Sequence, residues 1–178
     1  MKLESERLIV REFDYNDNID LFEMCSDYDT ALMAGWRPHK DIYTSSQVIV
    51  NYIYNKETMA IYLKEEKKVI GTISLYKETF RKNTEIRELG FCMNKDYRNQ
   101  GYMSEAIELV LDYAFRKLKL KLLSCCCQTD NLPSKHLIEK MGFKYEGKIR
   151  MYRKLFNKQT CDVYMYSLTD EEFKEGLK

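Results

Sequence analysis

The sequence predicts an α/β protein on a mixed sheet, and three observations carry that reading. Apolar segments of strand length outnumber the helical ones. The first half holds a hairpin, whose strands must run antiparallel. The second half reads strand, long helix, strand, the pattern of a parallel crossover. An all-parallel sheet would alternate strand and helix throughout. No repeat, low-complexity tract or Gly/Ser linker interrupts the 178 residues, and the only prolines are Pro38 and Pro133. One continuous domain over 1–178 is expected.

Residues 7–13 alternate as a first strand. A helix is expected over 16–25, with Ile19, Leu21, Phe22 and Met24 as its apolar residues. Residues 36–41 form a polar-aromatic loop around Pro38. A second helix is expected over 46–55, with the capping-type Thr44 and Ser45 before it. Residues 59–64 and 69–76 form the hairpin, turning at 65–68, and 84–93 is the central strand. Met103, Ala106, Ile107, Val110, Leu111, Ala114, Phe115 and Leu118 then line one face of a long helix. Its outer face carries Glu105, Glu108 and Asp112 early and Arg116, Lys117 and Lys119 late, as the helix dipole prefers. Residues 120–127 have the length of a buried strand. Asn131-Leu132-Pro133-Ser134 opens a shorter helix that ends at Met141-Gly142-Phe143, capped by Asn131 or Asp130. Closing strands over 143–152 and 161–168 meet near Asn157-Lys158.

Composition excludes several functions. Lys plus Arg total 29 against 28 Asp plus Glu, a net charge of +1. That balance lacks the basic excess of a nucleic-acid binder and gives no electrostatic reason to dock on an anionic membrane. Residues 1–6 lack the apolar core of a signal peptide, and no run spans a bilayer, so a cytoplasmic location is expected. The six cysteines include no C-x-x-C pair, and Cys125, Cys126 and Cys127 are consecutive in a strand, so Cys126 faces opposite to its neighbours. They read as small apolar filler, with no metal site expected.

The chemistry concentrates in residues 88–143. A strand ends near Met93, and Arg98-Asn99-Gln100-Gly101-Tyr102-Met103-Ser104 leads into the long helix. A helix start presents unpaired N–H groups and positive potential, which suits a phosphate. Gly101 lets the backbone approach an anion closely, and Arg98 adds a permanent charge.

These residues resemble the GCN5-related N-acetyltransferase (GNAT) family, and within it the RimJ/RimL-like ribosomal-protein N-terminal acetyltransferases. The family's cofactor turn, Arg/Gln-x-x-Gly-x-Gly/Ala, matches at Arg98 and Gly101. It departs at Met103, whose side chain must point into the fold. Asn131, Ser134, Glu139, Lys140, Gly142 and Phe143 match the second signature, and Glu88-Leu89-Gly90-Phe91 matches the branch's central strand. The resemblance implies a mostly antiparallel sheet of about seven strands flanked by helices on both faces. It also implies two central strands that splay around the cosubstrate acetyl-CoA.

On that resemblance, the pantetheine arm pairs with Phe91, Cys92 and Met93. The diphosphate rests on the amides of Gln100, Gly101, Tyr102, Met103 and Ser104, beside Arg98 and Asn99. Asn131 holds the arm, caps its helix, or does both. Glu88 matches the branch's glutamate and is the candidate base; otherwise it is a strand carboxylate paired with Arg87 or a lysine. Ile138 stands where many relatives carry a thiolate-protonating Tyr, so Ser134 is the candidate donor to the leaving sulfur; otherwise it only bonds its own helix start. Trp36, Arg37, His39, Tyr43 and Tyr152 are candidates for the acceptor pocket, with His136 expected to face solvent. The expected reaction is direct attack of a primary amine on acetyl-CoA in a ternary complex, the amine being a protein N-terminal α-amine. A polyamine or aminoglycoside acceptor, and a silent acyl-CoA-binding module, are the alternatives. A homodimer stays open.

Overall fold

The computed structural model describes residues 2–176. Its strands are β1 (Lys2–Glu4), β2 (Leu8–Arg11), β3 (Thr58–Leu63), β4 (Lys68–Lys77), β5 (Ile86–Met93), β6 (Leu122–Gln128), β7 (Lys144–Lys154) and β8 (Thr160–Thr169). Its helices are α1 (Asn18–Ser26), α2 (Tyr28–Ala34), α3 (Ile42–Asn55), α4 (Tyr102–Asp112), α5 (Leu132–Lys140) and α6 (Asp170–Gly176). The strand order is β1-β2-β3-β4-β5-β6-β8-β7. Of the described pairings, β5 with β6 is parallel and the others are antiparallel. The mixed, mostly antiparallel sheet is as expected, with eight strands in place of about seven. The addition is β1, three residues paired with Ile9 to Arg11 and too short to show an alternation. Among the described residues no helix is long and apolar enough to cross a membrane.

The chain divides into two compact units, residues up to 74 with 91–109, and 75–90 with residues from 110 on. In the first, Leu21, Met24 and Cys25 of α1 and Ile49 of α3 bury themselves with Phe13, Ala60, Val69 and Cys92. Helix α3 starts four residues before the expected position because Asp41 caps it, accepting from the Thr44 N–H at 2.7 Å. Thr44 and Ser45 therefore lie inside its first turn. Helix α2 was not expected: seven residues give no visible period. It is set by its ends, where Asp27 accepts from the Thr30 N–H and Gly35 closes it at φ +85°. The αL closure is a conformation glycine adopts without strain.

In the second unit β6 pairs along its whole length with β8, and β8 with β7. Leu123, Cys125, Cys127, Val163, Met165, Tyr166 and Leu168 are buried there. Cys126 is only half-buried, on the face opposite its neighbours, as the alternation requires. After α4 the backbone widens into a π turn over Tyr113–Lys117. A π turn shifts the helical register of the residues beyond it, and Leu118, expected on the inward face, is 45% exposed.

Candidate active site

The turn before α4 has the backbone of an anion cradle. Asn99 and Gly101 both adopt positive φ, 61° and 82°. The first helical bond runs from the Glu105 N–H to the Gly101 carbonyl at 3.1 Å. The amides of Tyr102, Met103 and Ser104 therefore precede any intrahelical partner, as at every helix start. Tyr102 and Met103 are buried, so the larger residue at the family's small position does point into the fold. This turn fits a diphosphate: the Tyr102, Met103 and Ser104 amides lack intrahelical partners, and Gly101 adopts its φ of 82° without strain.

Arg98 is more committed than its sequence position implies. Its Nε donates to the Met93 carbonyl at 3.2 Å and its Nη2 to Thr30 Oγ1 at 2.8 Å. It therefore ties the turn to the end of β5 and to α2 as well as adding charge. Upstream, the Cys92 carbonyl faces β4 so closely that a Cβ on Gly71 would stand 2.7 Å from it. Backbone groups alternate along a strand, so Phe91 and Met93 present theirs on the opposite edge of β5. Of the three residues expected to pair with pantetheine, Cys92 is turned the other way.

The parallel ladder between β5 and β6 joins Ile86, Arg87 and Glu88 to Leu122, Leu123 and Ser124. Glu88 is its last described member. The Cys126 thiol donates to Glu88 Oε1 at 3.5 Å. Burial pushes the Glu88 carboxyl above the ordinary carboxylate range; the Cys126 hydrogen bond pulls it back, Glu78 pushes it further and Arg153 opposes that. Arg87 does not pair with it: its guanidinium donates to the Thr84 and Ile86 carbonyls. Glu78 is itself buried and accepts from the Arg81 N–H at 2.5 Å, while Arg81 also bridges to Glu146. Burial raises the Cys126 thiol to about 12, helped by Glu88, so it stays a protonated donor. Tyr152, stacked on Phe80 at 6.0 Å, is raised by burial and by the nearby Cys126 and Glu88.

Asn131 caps α5, its Oδ1 accepting from the Ser134 N–H at 3.2 Å. The cap uses its acceptor and leaves the amide NH2 for other bonds. Ser134 is the third residue of that helix and is half-buried. Ile138 is fully buried, and His136 is exposed as expected. The other acceptor-pocket candidates have separate surroundings. Trp36 packs on the core of the first unit, and Tyr43 is 72% exposed. His39 Nδ1 lies 2.8 Å from Ser45 Oγ, and burial lowers its pKa.

Sequence reasoning missed Arg7, Thr30, Glu78 and Cys126 as neighbours of these residues. None carries a local signal, since each arrives from a separate segment; Arg7, for example, reaches Gln100 from 93 residues away.

Comparison with known proteins gives the same outline. Residues 7–144 match the acetyltransferase (GNAT) domain family. The chain is 30% identical over 175 residues to the uncharacterized N-acetyltransferase YnaD of Bacillus subtilis, covering 97% of this chain and 99% of that protein. A GNAT-family acetyltransferase from Bacillus anthracis superposes with a TM-score of 0.86 at 27% identity, covering 96% and 99% of the two chains. The ribosomal-protein-S5-alanine acetyltransferase from Vibrio fischeri shares the fold, with a TM-score of 0.76 at 21% identity and coverage of 96% and 97%.

Proposed function

The chain belongs to the GNAT acetyltransferase family and is an acetyl-transferring enzyme, and we propose that it moves the acetyl group of acetyl-CoA to a protein N-terminal α-amine. The observation that carries the reading is Glu88, a half-buried carboxylate whose affinity for a proton is raised by its surroundings. A free α-amine titrates near pH ~7.7–8.0, so a base with a raised pKa is well matched to taking its proton, directly or through one water. The Vibrio fischeri protein with the same fold is named for acetylating an alanine of ribosomal protein S5. The whole chain, 1–178, works as one acetyltransferase domain; YnaD is covered over nearly its full length.

Acetyl-CoA supplies the thioester carbonyl. The amides of Gln100 to Ser104 hold its diphosphate, with Asn99 and Gly101 setting the curvature. Phe91 and Met93 offer backbone groups to its pantetheine amides, and the N–H of one of these two residues stabilises the growing oxyanion. Asn131 keeps α5 in place and turns its amide NH2 to the arm. Ser134 donates to the sulfur as the C–S bond breaks. Glu88 accepts the proton that the amine loses on forming its new C–N bond, in one ternary complex with no acetyl-enzyme. A small cationic amine is the second reading, favoured by Glu78 lying near Glu88. An acetyl-CoA turnover screen against peptides with varied N-termini, polyamines and aminoglycosides tests both. Turnover with peptides alone is expected; turnover with polyamines alone would transfer the assignment to the second reading.

A further inference from the structure

Glu105 is a physical problem for a diphosphate site. It sits in the first turn of α4, where a carboxylate stabilises the helix dipole but repels an anion bound at the same end. The sequence places it on the solvated face. The structure instead ties it down from the residues just before β2. Arg7 Nε donates to Glu105 Oε2 at 2.7 Å, Arg7 Nη2 lies 2.5 Å from the same oxygen, and Ser5 Oγ donates to Oε1 at 2.6 Å. Burial alone would raise this carboxyl; the bonds from Ser5 and Arg7 outweigh it and hold it ionised below the usual range.

The same guanidinium reaches the turn itself. Arg7 Nη1 donates to the Gln100 carbonyl at 3.1 Å, and Nη2 would lie 3.4 Å from a Cβ on Gly101. The guanidinium carbon stands 4.5 Å from the centre of the Tyr102 ring, a cation–π arrangement. One side chain thus pins a carbonyl of the turn, packs on its first helical residue and neutralises a first-turn carboxylate that would oppose an anion there. Gln100, Gly101 and Tyr102 are consecutive, so these contacts fix the backbone that leads into the unpaired amides of α4.

We infer that Arg7 is a positioning residue for the diphosphate of acetyl-CoA, acting by neutralising Glu105 beside the turn and holding the Gln100 carbonyl in place. The inference rests on the proposed cofactor turn, and the test separates the two. Calorimetry would compare CoA with pantetheine, which lacks the diphosphate and nucleoside. The parent protein should bind CoA far more tightly; equal affinity for the two would overturn the cofactor-turn reading and this inference with it. Arg7→Met should weaken CoA binding roughly 10- to 100-fold, the size of one lost interaction with a charged group, and leave pantetheine binding unchanged. Arg7→Met combined with Glu105→Gln should recover most of the loss, because the harm comes from the released carboxylate. Glu105→Gln alone, a mild change on a folded helix, should bind CoA at least as tightly as the parent. CoA binding within twofold of the parent in Arg7→Met would overturn the inference. So would equal weakening of pantetheine, a double variant no better than the single one, or weaker CoA binding by Glu105→Gln.

Discussion

The turn before α4 and the surroundings of Glu88 are built in opposite ways. In the turn, seven consecutive residues supply the backbone geometry, with positive φ at Asn99 and Gly101. Around Glu88, single side chains from β5, β6, the 78–81 segment and β7 set one proton affinity. A backbone site tolerates most side-chain changes and fails where φ or local charge is wrong. A tuned carboxyl responds to every neighbour. The two regions should therefore break differently, the first in binding and the second in rate and pH dependence.

The largest effect should come from the turn. Gly101→Asp adds a Cβ and a negative charge at φ +82°. Losing two charge-assisted hydrogen bonds at about 1.5–3 kcal/mol each predicts an acetyl-CoA Kd higher by roughly 10²- to 10⁴-fold. Calorimetry with a parallel melting curve checks that the fold survives; unchanged affinity would remove the turn from the cofactor site. Ser134→Ala comes next. A hydrogen bond to charge growing on sulfur is worth about 1.5–3 kcal/mol, or roughly 10- to 150-fold in kcat, with acetyl-CoA affinity nearly intact. A lower melting temperature with kcat unchanged would reduce Ser134 to a helix-start residue.

Legibility in the sequence divides along the same line. Gly101, Arg98 and the Asn131 cap lie within short motifs, where sequence neighbours are spatial neighbours. The mixed sheet was legible too, because apolar alternation and the hairpin are local. Helix α2 and strand β1 were not, being too short to repeat their periods of about 3.6 and 2 residues often enough to show. The Glu105 face was misjudged because helical period places a residue on a side of its own helix and says nothing about an arginine arriving from beside β2. The neighbours of Glu88 are hidden for the same reason, and of its two readings the pairing with Arg87 is the one the geometry does not carry. Arg87 is adjacent in sequence but bonds backbone carbonyls, while Cys126 comes from the next strand.

Smaller effects sharpen the comparison through stability. The folded protein penalises ionised Glu88, so the stabilising share of that group is full below its unfolded pKa of about 4.3 and is lost as pH rises through its raised folded value. Glu88→Gln cannot ionise. It should melt higher than the parent at pH 8, by about 2–4 °C for each kcal/mol relieved, with the gap closing near pH 4. A variant that melts lower at pH 8 would mean that the charge is stabilising. Asn131→Ala should lose about 1 kcal/mol with its cap, whereas Asn131→Asp keeps an accepting oxygen and should retain the parent's stability. Weaker acetyl-CoA binding by Asn131→Asp would mark the lost amide donor as the group that holds the arm; thermal unfolding and calorimetry on the pair read both roles.

The pH dependence of kcat/KM for Glu88→Gln against the parent, measured with the preferred acceptor, tests the role of this carboxylate most directly. A general base contributes roughly 10²–10⁴-fold, and one acting through water belongs at the low end. The ratio of parent to variant should be about 10² near pH 7, where little amine is neutral, and should shrink by about pH 9, where the amine has already lost its proton. Profiles that overlay across that range would contradict Glu88 as the base and leave it a buried strand carboxylate.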